Sequence, residues 1–130
     1  MKLNHFSLDE FKCNCGCNDN KRNTIDRHMN KGFLMKLNHA RSIAGIPFVV
    51  NSGYRCLIYN KTIGSRRTSS HCKGCAVDIA TPNSETAYWV MRGLIEAGFT
   101  RLGVGPGFIH VDDDALKPAY VMWNYYKEAK

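Results

Sequence analysis

The stretch Ser69-Ser70-His71-Cys72-Lys73-Gly74-Cys75-Ala76-Val77-Asp78-Ile79 decides the fold. Val77–Ile79 reads as a short strand. Period-two alternation puts Val77 and Ile79 on one face and Ala76, Asp78 and Ala80 on the other. An aspartate flanked by alanines on an otherwise apolar strand is costly to bury unless something pairs with it. A metal ion is the simplest such partner. His71 precedes that carboxylate in a loop-like stretch.

The same alternation recurs in Phe108-Ile109-His110-Val111-Asp112. Ile109 and Val111 face one way, and Phe108, His110 and Asp112 the other. Each strand thus offers a polar ligand on the face opposite its β-branched residues. His71, Asp78 and His110 make a His/Asp/His set. Three protein ligands with a fourth position left open form the catalytic zinc pattern rather than the structural one. Spacing alone does not bring these residues together.

Four segments carry a family resemblance: Ser69-x-His71-x-x-Gly74-x-Ala76-x-Asp78, Phe108–Asp112, Asn51-Ser52-Gly53-Tyr54-Arg55, and the asparagine-to-glycine stretch Asn60–Gly64. Together they resemble the zinc D-Ala-D-Ala carboxypeptidase family. That family includes bacterial peptidoglycan peptidases and phage endolysins, and it shares its fold with the hedgehog signalling domain. The opening Phe6–Phe11 with the following CNCGC resembles its short, phage-type branch. The resemblance implies an α+β fold, a small and mainly antiparallel sheet with helices on one side and a zinc cleft on the open face. It implies zinc on His71, Asp78 and His110, and a substrate-binding role for Arg55, whose planar, permanently charged guanidinium suits a carbonyl or carboxylate. The alternative for Arg55 is a loop held together through backbone carbonyls. Ser69 is expected to orient the metal loop by a hydrogen bond.

One departure stands out. Better-known branches place a carboxylate three residues before the last ligand, or a histidine two before it. Gly107 and Phe108 occupy those positions here. Asp112 shares the face of His110 and is the candidate general base. The competing reading has it orient a ligand histidine. Asp113 and Asp114 read as turn residues.

Composition sets the bounds. A chain of 130 residues, 44% hydrophobic and 22% charged, suits one domain (1–130, with 1–20 a cysteine-containing N-terminal segment). No apolar run approaches the roughly 18–20 residues of a membrane span. The N-terminus shows no apolar signal region. The expectation is a protein made in the cytoplasm, as a monomer, that reaches the cell wall on release or travels with a virion. The net charge of +7 suits an anionic polymer such as bacterial wall. Nothing resembles a sequence-specific nucleic-acid module.

Elsewhere, Ser7 and Glu10 form a capping-box pattern. Cys13, Cys15 and Cys17 alternate as in a strand, and with Cys56 leave three readings open: a structural zinc site, a disulfide, or buried thiols. Cys72 and Cys75 form a CxxC expected to serve packing. A long helix is expected from Asn23 or Thr24 to Ile43, carrying His28 and His39 and ended by Gly45 and Pro47. Phe48–Val50 reads as a buried strand and 56–63 as a short helix. A helix is expected from Pro82-Asn83-Ser84 to Gly98, and a hairpin over Arg101–Asp112. The aromatic-rich Tyr120–Tyr126 reads as a final strand or helix.

Three functions fit. One is a zinc peptidase of wall peptides, either carboxypeptidase or endopeptidase. Another is a zinc-retaining wall-binding or virion module without catalysis. The third is a small cysteine-based redox or zinc scaffold.

Overall fold

The computed structural model describes residues 4–14, 28–65 and 69–126. Within them, β1 (Val50–Ser52), β2 (Ala76–Ala80), β3 (Arg101–Gly105), β4 (Phe108–Asp112) and β5 (Val121–Asn124) form one sheet. The strand order is β1-β2-β4-β3-β5. All pairings are antiparallel except that of β3 with the edge strand β5. Helices α1 (Lys31–Ala44), α2 (Leu57–Thr62) and α3 (Ser84–Glu96) complete the α+β architecture.

Alternation works as expected. Val77, Ile79, Ile109 and Val111 are fully or almost fully buried, in one cluster with Phe33 and Leu37 of α1 and Val90 and Leu94 of α3. Each such side chain contributes roughly 1.5–3 kcal/mol by leaving water. The helices therefore cover one face of the sheet and leave the other for polar residues.

Two boundaries differ from expectation. The first long helix begins at Lys31, because Asn30 takes an extended conformation and its side chain accepts from Phe33 N–H at 2.9 Å. A short amide side chain that bonds its own backbone favours a cap over a helix interior. Positions 23–27 lie outside the described residues. His28 precedes α1 and stacks on Tyr54, with ring centroids 4.4 Å apart, while His39 lies on α1. The strand expected at Phe48–Val50 runs instead over Val50–Ser52, where pairing with β2 begins. Phe48 is buried and Val49 exposed.

Gly74 ties the helical layer to the sheet. Its φ is +72°, and a Cβ there would meet the His28 carbonyl oxygen. Only glycine permits both the left-handed turn and that approach. The Asn30 N–H donates to the Gly74 carbonyl at 2.8 Å. The short turn carrying His71 is thus fixed from behind.

Candidate metal centre

A single row of residues crosses the open face. Ser52 on β1 stands opposite Asp78 on β2, and Asp78 opposite His110 on β4. His110 faces Gly103 on β3, which pairs with Trp123 on β5. In the next row Asp112 stands opposite Arg101. His71 comes from outside the sheet, on the 3-10 turn Ser70–Lys73. Ser69 caps that turn, its Oγ accepting from His71 N–H at 3.3 Å.

The three expected ligands converge. One donor atom from each of His71, Asp78 and His110 lies within 4.8 Å of the others. Asp78 Oδ1 is 2.9 Å from His110 Nδ1 and 3.3 Å from His71 Nε2. The outer partners of the two rings fix what faces inward. His71 Nδ1 lies 2.8 Å from the Gly53 carbonyl, which only an N–H can satisfy. His110 Nε2 lies 2.7 Å from Asp112 Oδ2. With those nitrogens protonated, each neutral ring turns a lone pair toward the Asp78 carboxylate. Three electron-pair donors aimed at one point repel unless a cation lies between them. The donor set fits a metal on that ground, and histidines oriented by a carbonyl and a carboxylate are the usual outer partners of metal sites.

Electrostatics call for positive charge at this point. Burial pushes the His110 imidazole down, but Asp112 and Asp78 outweigh it and raise it. Burial pushes the Asp78 carboxyl up, but hydrogen bonds and charge from His110 and His71 outweigh it and hold the group well below the usual carboxylate range. A proton between ring and carboxylate meets that demand, and so does a metal ion held by the neutral rings. Burial likewise opposes ionisation of Asp112, yet His110, the Asp114 N–H and Arg101 pull it down. Arg101 Nε donates to Asp112 Oδ1 at 2.6 Å, and Asp114 N–H to the same oxygen at 3.1 Å. Both Asp112 oxygens are therefore engaged, and the residue is 1% exposed.

The centre floors a cleft of about 470 Å³. Arg55 lines one side. Its Nη2 is 3.5 Å from Asp78 Oδ2, and its Nε donates to Ser52 Oγ at 3.2 Å. Phe108, Trp123 and Tyr125 line the other. A Cβ on Gly103 would sit 2.6 Å from Trp123 Nε1 and 2.7 Å from Tyr125 Cε2, so the bare glycine lets this aromatic wall close over His110. Gly103→Ala is expected to displace the wall and cost about 1–3 kcal/mol through overpacking, read as a changed near-ultraviolet circular dichroism signal and a lower denaturation midpoint.

A family model for peptidase M15 matches residues 4–112. The chain belongs to the peptidase M15 family. A search of curated proteins returns no match. M15 membership implies a metallopeptidase acting on peptides, and the family typically uses zinc. The converging triad gives this M15 chain a place to hold such an ion. No helix among the described residues is long and apolar enough to cross a membrane.

Some participants were not singled out from the sequence. Arg101, the Gly53 carbonyl and the aromatic wall are three. Asp114 is another: it opens a turn as expected, its carbonyl accepting from Lys117 N–H at 3.1 Å, but it is also buried and accepts from Ser70 Oγ and Lys73 Nζ, each at 2.8 Å. Burial opposes its ionisation, but Lys73, Ser70 and the Leu116 N–H bring the carboxyl down to about 2. A carboxyl lower in the folded than in the unfolded chain stabilises the fold above the unfolded value, near pH 4, and loses that contribution as pH falls toward 2. The contribution is roughly 2 kcal/mol. Asp114→Asn is expected to lower stability at neutral pH and flatten the acid limb of the unfolding profile between about pH 4 and pH 2, measured by denaturant titration across pH.

The cysteines divide. Burial, then the charges of Asp114, Asp113 and Asp112, push the Cys75 thiol up to about 12, and burial raises Cys72 as well. Raised thiols are the reverse of a reactive CxxC, which agrees with a packing role. Cys13 follows the 3-10 turn Leu8–Phe11 and is not in a strand. Cys15 and Cys17 lie outside the described residues. Cys13 and Cys56 are both buried, their sulfurs 3.8 Å apart.

Proposed function

We propose that this M15 peptidase hydrolyses peptide bonds of peptidoglycan stem peptides, as a D-Ala-D-Ala carboxypeptidase or an endopeptidase of endolysin type, with zinc on His71, Asp78 and His110. The observation that carries the proposal is the convergence of those three donors within 4.8 Å on the floor of an arginine-lined cleft. Bound zinc supplies a Lewis acid for the scissile carbonyl and acidifies water. The chain's own residues do the rest. Arg55, whose Nε is held by Ser52, Nη1 by Asn60 and Ser65, and Nη2 by Asp78, presents the remaining Nη2 N–H to a substrate carbonyl or terminal carboxylate. The Gly53 carbonyl and Asp112 hold the two imidazoles in the ligating tautomer. Phe108, Trp123 and Tyr125 exclude water from one flank and pack the apolar part of the peptide.

Asp112 is assigned the orienting role rather than that of general base, because its oxygens already accept from His110, Arg101 and the Asp114 N–H. That engagement also supports a second reading, a metal-retaining binding module of the wall or virion without turnover. The setting is proposed to be the cell wall, reached on release from the cell that makes the protein. The test is digestion of purified muropeptides by the zinc-loaded protein, with products identified by mass. New termini at one defined bond, abolished by a chelator and restored by zinc, support the peptidase. Stoichiometric zinc with no new termini supports the binding module.

A further inference from the structure

We infer that Cys13 and Cys56 are two ligands of a second, thiolate metal site, separate from the His/Asp/His centre. The fold brings these sulfurs together across 43 positions of chain, at 3.8 Å. Both residues are buried, at 1% and 7% exposure. Two sulfurs on one tetrahedral zinc, each at about 2.3 Å, stand roughly 3.8 Å apart, whereas a disulfide holds them at about 2.05 Å. The spacing fits a shared ion; a thiol–thiol hydrogen bond spans the same distance, and metal loading separates the two. Cys56 Sγ also accepts from the Tyr59 N–H at 3.4 Å.

Position gives the site a purpose. Cys13 lies two residues beyond Phe11, whose carbonyl accepts from Tyr54 N–H at 2.8 Å. Cys56 directly follows Arg55. An ion shared by the two would fasten the N-terminal segment to the loop that supplies both Arg55 and the Gly53 carbonyl behind His71. Zinc and cobalt are the cations that suit thiolates in tetrahedral geometry. The ligand class is a borderline-soft divalent cation, and the role is structural.

The experiment loads the full-length His71→Ala chain, reduced and stripped of metal, with cobalt and with zinc. Removing His71 disables the first centre, so whatever remains reports on the second, and no peptidase activity is needed. The expected result is one equivalent of retained metal and an intense near-ultraviolet charge-transfer band from cobalt bound to two or more thiolates. Adding Cys13→Ser or Cys56→Ser should remove both the metal and the band. A cobalt-loaded wild-type chain without any thiolate band overturns the inference, and that measurement needs no variant to fold. A Cys13–Cys56 bridge found by non-reducing peptide mapping of the zinc-loaded protein overturns it as well.

Discussion

His71→Ala is expected to abolish zinc binding at the His/Asp/His centre and to lower muropeptide turnover by about 10³-fold or more, equivalent to roughly 4 kcal/mol of lost transition-state stabilisation. The argument is geometric. Asp78 Oδ1 faces ring nitrogens of both histidines, and removing either leaves two donors where a catalytic zinc site uses three. His110→Ala should behave alike, and Asp78→Asn should keep the shape while removing the charge that attracts the cation. The fold should survive His71→Ala, since His71 sits on a turn held independently by Ser69, Gly74 and Asn30. Far-ultraviolet circular dichroism checks that. Metal content by mass spectrometry and turnover on the same preparation check the rest. A His71→Ala protein that retains turnover near the wild-type rate would sink the metallopeptidase mechanism at this site.

How much of this was legible in the sequence depends on whether the deciding physics is local. Alternation is local, so the facing of Asp78 and His110 away from the apolar core followed from period two. Capping is local too, so the helices that start at Ser7 and Asn83 followed from their caps. Proximity of the ligands is not local. It depends on β4 lying between β2 and β3, and the family motifs supplied it where spacing did not. The partner of Asp112 could have been found. The Gly105-Pro106-Gly107 turn signals a hairpin in which Gly105 stands opposite Phe108, and counting outward along both strands puts Arg101 opposite Asp112. Asp114 could not. Its partner Ser70 is 44 positions away, and only the assembled fold shows this turn aspartate to be buried as well. The expected single helix is interrupted at Met29–Asn30, a break hidden by a 3.6-residue apolar pattern that continues through Met29. That residue is buried but packs from outside the helix, and the competing signal, Asn30 as a cap, is a single residue.

Asp112 is where local reading and tertiary structure pull apart, and its substitution should separate two roles. Asp112→Ala is expected to destabilise the fold by about 3–5 kcal/mol. It strips the partner from Arg101, whose side chain is 11% exposed, and leaves His110 Nε2 without its acceptor. Thermal or denaturant unfolding measures this directly. Asp112→Asn is the more informative change, because it keeps the volume and an acceptor oxygen for the His110 N–H while losing the charge. If Asp112 orients the ligand, zinc affinity should fall about 10–100-fold, and kcat should return toward wild type once zinc is saturating. If instead it moves a proton at the substrate, kcat should fall about 10²–10⁴-fold at saturating zinc with metal affinity little changed. The orienting outcome is expected. A general base needs a lone pair free to reach water in the cleft, and the oxygens of Asp112 already face His110 at 2.7 Å, Arg101 at 2.6 Å and the Asp114 N–H at 3.1 Å.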